Sequence, residues 1–102
     1  MIHVLAVITA KPGKRDTILA AFRENRPNVL AEDGCIEYGA ALDAADAPPM
    51  QTAYGPDTFV VIEKWASMDA LRAHAAAPHM AAYGAKTREH VASRVIHVLS
   101  PL

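Results

Sequence analysis

Three stretches of this chain are apolar on both of the faces that an extended strand presents, and no other feature limits its fold so narrowly. In Ile2–Ala10 (IHVLAVITA), Leu5 and Val7 fall on one side and Val4, Ala6 and Ile8 on the other. Thr58–Trp65 (TFVVIEKW) sets Phe59 and Val61 against Val60 and Ile62, and Val91–Leu99 sets Ile96 and Val98 against Val95 and Leu99. Side chains alternate across a strand, so a sheet built from these segments needs cover on both faces. The chain has 102 residues, which predicts a single domain over residues 1–102. Its helices suffice for one face. The expected cover for the other is a second copy, giving a homodimer through the sheet face.

The segments between the strands supply those helices. Ile18, Leu19, Phe22, Val29 and Leu30 recur at three- and four-residue spacing, which predicts an amphipathic helix over 14–32, with a kink or restart near Asn25 and Arg26 because Pro27 lacks a donor. After Asp33-Gly34, Cys35–Leu42 reads as a second strand weakened by Gly39 and two alanines. Asp43–Pro56, with three prolines and a glycine, reads as a long loop. Ser67 is the expected N-cap of a helix through Ala76, and Pro78 the first residue of a second helical piece ending near His90. Strand, helix, strand, strand, helix, strand is the α+β, ferredoxin-like βαββαβ order, with a four-stranded antiparallel sheet.

Composition narrows the partners. Ten basic and eleven acidic residues give a formal net charge of −1, without runs of like charge, so the basic footprint of a nucleic-acid or membrane-surface binder is missing. Small molecules are the expected ligands. Cys35 is the only cysteine, which fits a reducing compartment, and the first apolar run is half the length of a bilayer span and lacks a basic start. Both predict a cytoplasmic protein.

Glu63 draws attention first, because on its strand it shares a face with Phe59, Val61 and Trp65. A carboxylate in that setting is either paired within the structure or raised by desolvation into a usable general base. His74 lies one turn beyond Leu71 and can face inward, while His79 opens the next helical piece. Each is either a satisfied histidine or a participant in proton transfer. Joining His74, His79 and Glu63 as metal ligands is disfavoured, since the HxxxxH spacing crosses a proline and is not the i, i+4 pair of a helix. Trp65 could wall a flat substrate or simply fill the core. Tyr38 and Tyr83 read as packing residues with phenols at the rim that could orient a hydroxyl. His3 and His97 are expected on outer strands. No glycine-rich phosphate loop, GxSxG elbow or CxxC pair occurs, so nothing seats a nucleotide cofactor.

Read together, Glu32–Tyr38 (EDGCIEY), Phe59–Trp65 (FVVIEKW) and then Ser67, Ala70, Leu71, His74, Pro78 and His79 resemble the antibiotic biosynthesis monooxygenase family. The resemblance implies a dimeric α/β barrel made from two ferredoxin-like protomers. It also implies oxygenation of a small phenolic or quinol-type aromatic by dioxygen without metal, flavin or haem. On that reading Glu63 or His74 is the base, Phe59 and Trp65 are substrate walls, and His79 and Tyr83 are hydrogen-bonding partners. Haem-degrading relatives carry an asparagine in the first strand, and IHVLAVITA has none. Two other outcomes stay open: an isomerase or lyase acting on a small oxygenated metabolite, and a non-catalytic ligand-binding domain. The proline-rich 43–56 loop departs from the family pattern.

Overall fold

The computed structural model of the chain describes residues 1–102 and contains four strands and three helices. In order they are β1 (Ile2–Ala10), α1 (Arg15–Leu30), β2 (Cys35–Ala41), β3 (Thr58–Trp65), α2 (Met68–Ala75), α3 (Pro78–Thr87) and β4 (Val91–Leu99), with a 3-10 turn at Arg88–His90 before β4. All strand pairs are antiparallel, in the spatial order β2-β3-β1-β4. This is the expected ferredoxin-like arrangement. The strand placement differs from expectation in one respect: β1 lies inside the sheet, so His3 is on a central strand and only His97 is on an edge. A βαββαβ chain whose crossovers pass over one face brings its first and third strands together in the middle.

One face of the sheet lies under the helices. Val4, Ala6, Ile8 and Ala10 of β1 and Phe59, Val61 and Trp65 of β3 are buried there against Ile18, Leu19, Phe22 and Val29 of α1. Pro27 does not restart α1, which runs unbroken to Leu30. Phe22 and Val29 are seven residues apart, so only a continuous helix puts both on the core side, and their burial outweighs the missing hydrogen bond. Arg26 then ties the helix to β2 by donating from Nε to the Tyr38 carbonyl at 2.7 Å.

The reverse face carries Leu5, Val7, Val60, Ile62, Val95 and Leu99. None of these is buried in the protomer, and Leu5, Ile62, Val95 and Leu99 are 37%, 38%, 50% and 46% exposed. On edge strand β4, Ile96 and Val98 pair with Ala6 and Val4 and so point to the helical side, yet both are also exposed.

Two local devices seat α2 beside the sheet. Ser67 caps the helix, its hydroxyl accepting from the Ala70 N–H at 3.1 Å. Gly34, at φ +84°, passes so close to α2 that a Cβ there would stand 2.6 Å from the Ala70 Cβ. The 43–56 segment is a loop, as expected. Its two ends are tied by the Asp43 carboxylate, which accepts from the backbone N–H groups of Tyr54 and Gly55 at 3.0 and 2.8 Å, bonds that hold its pKa below the usual value.

Candidate active site

The middle of β3 and the inner side of α2 meet over the helical face, close to the Gly34 turn. Glu63 pairs across the sheet with Val4 on β1 and Tyr38 on β2, so all three side chains share that covered face. Its carboxylate is 7% exposed, and Oε1 accepts the indole N–H of Trp65 at 2.9 Å. The Trp65 ring, itself fully buried, lies against the His74 imidazole with centroids 4.6 Å apart. Tyr38 closes the other side, edge-on to His74 at 5.4 Å and stacked on Phe22 at 5.3 Å. A bulge between Cys35 and Glu37 brings Tyr38 to this face. Strict alternation from Cys35 would have turned it outward.

His74 is fixed from the α1 side. Its Nδ1 lies 2.8 Å from Oε2 of Glu32, and the same oxygen is 3.2 Å from Nε2 of His79. The two imidazoles therefore meet at Glu32 and not at Glu63. Glu32 carried no role in the sequence reading. A signal was available, since an acid just beyond the C-terminal end of α1 opposes the helix dipole and is locally unfavourable. Side chains that break a local preference often mark a site.

The structure thus brings Glu63, Trp65 and His74 together and adds His79 through Glu32. Tyr83 stands further along α3, its ring 6.5 Å from Phe22, beside a cleft of about 260 Å³ that Asn25, Asn28 and His79 also line. A second cleft, of about 450 Å³, shares Asn28 and His79 with the first and reaches Glu32 past Ala73 and Ala77. Phe59 is not part of the group. Four residues along β3 put it roughly 13 Å from Glu63, and it packs edge-on against Phe22 in the core.

Electrostatics follow burial. Desolvation raises the Glu63 carboxyl above its ordinary pKa, and the Glu32 charge adds to this; the Trp65 hydrogen bond and, with its ring protonated, the charge of His74 pull the other way without cancelling it. Burial also pushes up the Tyr83 phenol, and burial together with the Glu63 charge pushes up that of Tyr38, so both hydroxyls keep their protons at neutral pH. Because folded Glu63 holds its proton to higher pH than the unfolded chain does, this group favours folding below the ordinary carboxylate pKa. That contribution is lost as pH rises through the raised value. Glu63→Gln keeps an acceptor for Trp65 and cannot ionise. Calorimetry from about pH 4 to pH 8 should show its Tm climbing above that of the native protein as pH rises, with the two converging near pH 4.

The sequence pattern of the antibiotic biosynthesis monooxygenase family matches residues 1–86. The probable quinol monooxygenase YgiN of Escherichia coli K12 is 37% identical over 103 aligned positions, spanning 99% of this chain and 98% of YgiN. Among solved structures, Rv0793 from Mycobacterium tuberculosis superposes with a TM-score of 0.80 at 26% identity, covering 99% of this chain and 94% of that one. A conserved protein from Methanosarcina mazei gives 0.84 at 20% identity, covering 99% and 92%, and shares the fold.

Proposed function

Because this chain belongs to the antibiotic biosynthesis monooxygenase family, we propose that it oxidises a small phenolic or quinol-type aromatic with dioxygen and without a cofactor, using Glu63 and His74. The observation that carries this reading is a buried carboxylate, capped by an indole N–H and raised in pKa, with a carboxylate-anchored histidine across the same tryptophan. The naming of YgiN as a probable quinol monooxygenase agrees with that chemistry.

An electron-rich ring that loses its hydroxyl proton can itself reduce dioxygen. A phenol with an open para position plus O2 gives the para-quinone plus water: one oxygen atom enters the ring, and the other leaves with the two hydrogens. The ring supplies all the electrons. What remains for the protein is a base, a proton donor, orientation and exclusion of water. Glu63 takes the hydroxyl proton, His74 takes the proton released from the para carbon, both protons are handed on to the departing oxygen as water, and Trp65 is the flat wall against the ring. α2 covers this group of side chains, with His74 its only buried residue.

A panel of quinols and phenols read with an oxygen electrode tests the reading. Oxygen uptake with quinone formation, abolished under nitrogen and unchanged by chelator, is the expected result. Turnover that continues without oxygen would replace the oxygenase with an isomerase or lyase, and binding without turnover would leave a ligand-binding domain.

The second copy belongs to the same proposal. The uncovered face of the sheet is apolar across three strands, and a homodimer joined through it would complete the barrel. Ile62→Glu places a carboxylate in that contact twice, at about 3 kcal/mol or more for each unpaired buried charge. Light scattering should then find a dimer for the native chain and a monomer for the variant.

A further inference from the structure

Hydrogen-bond bookkeeping around His79 leads beyond the acid–base pair. The Asn25 amide nitrogen donates to the Met80 sulfur at 3.4 Å, which leaves Asn25 Oδ1 as an acceptor. That oxygen takes the Asn28 Nδ2 at 3.1 Å and faces His79 Nδ1 at 3.2 Å. His79 Nδ1 is therefore the protonated nitrogen of a neutral ring, and its Nε2 is the lone pair. Yet Nε2 is buried, makes no aligned hydrogen bond, and lies 3.2 Å from Glu32 Oε2. A lone pair against a carboxylate lone pair repels unless a proton sits between them. The same Oε2 already receives His74 Nδ1 at 2.8 Å.

We propose that Asn25, His79 and Glu32 hold one extra proton in the cleft between α1 and α3, and that this proton fixes the charge of Glu32 and through it the tautomer of His74. His79 and Glu32 are positioning residues in this assignment. With His79 donating to Glu32, the carboxylate stays ionised and in place, His74 keeps its Nδ1 proton turned toward Glu32, and its Nε2 is left as the lone pair free to take a proton from the substrate. The arrangement is a carboxylate–histidine pair with a third member that faces the cleft, so its proton can be replenished from solvent while Glu63 and Trp65 stay dry.

The role in turnover rests on the oxygenase reading, whereas the proton count does not, and the test separates them. In protein labelled with nitrogen-15, the native chain at neutral pH should show both ring nitrogens of His79 protonated and His74 as the Nδ1–H tautomer. In His79→Ala, the His74 signals should move to a mixture of tautomers. With a quinol that wild type oxidises, His79→Ala should lower kcat roughly 100-fold at nearly unchanged KM. Added imidazole should restore much of the loss, which a merely structural role would not permit. A singly protonated His79 in the native chain, or His74 signals indifferent to His79→Ala, overturns the proposal. If wild type oxidises nothing in the panel, the oxygenase reading fails and the nitrogen signals alone decide for or against the proton.

Discussion

Glu63→Gln is expected to lower kcat for quinol oxidation by about 10²- to 10⁴-fold, the range that a positioned general base contributes. The substitution keeps the shape of the side chain and an oxygen for the Trp65 indole to donate to, so the wall against the ring stays in place and KM should change little. Lost activity from a protein that is more thermostable at neutral pH would separate a chemical role from a structural one, because an ion pair needed for folding would show the opposite trend. His74→Ala is the companion measurement. If Glu63→Gln retained full turnover while His74→Ala abolished it, the base would be the histidine held by Glu32.

Gly34→Ala is expected to cost the protein about 2–4 kcal/mol, through the left-handed backbone that alanine resists and through overpacking against α2. The Ala70 Cβ that a new methyl would meet at 2.6 Å is short and rigid, so the backbone itself must move. For a domain of this size the shift in Tm is roughly 10–25 °C. Function should suffer beyond stability. Gly34 accepts from the Ala66 N–H at 2.8 Å and follows Glu32 by two residues, so moving it away from α2 pulls Glu32 from His74. Thermal melts read the first effect, and the nitrogen signals of His74 read the second below the melting temperature. An unchanged melting curve would contradict the close approach.

The sequence carried most of the fold for a definite reason. Strands β1, β3 and β4 are rich in β-branched and aliphatic residues, and α2 has a serine cap, so their local preference agrees with their place in the whole. Where local preference and tertiary packing disagree, the reading missed. Pro27 argued for a break in α1, and the burial of Val29 overrode it. Tyr38 packs as expected, but the bulge that turns it inward is one residue of irregularity that composition does not betray. In the site, Glu63, Trp65 and His74 could be found from strand phase and helical spacing. Glu32 could not be paired with His74 that way, since they are separated by 42 residues and joined by a turn whose geometry rests on one glycine. Phe59 shares a face with Glu63, but phase along a strand says nothing of distance.

The outermost strand has a bearing on handling the protein. β4 exposes Val95 and Leu99 to one side and Ile96 and Val98 to the other, beside a row of backbone groups with no neighbour, and within Val95–Leu99 only His97 interrupts the run. Such a border is a template for unwanted strand addition. With two copies paired through the sheet face as proposed, Val95 and Leu99 are shielded, so Ile62→Glu, monomeric in fresh dilute solution, should precipitate sooner on storage than the native chain.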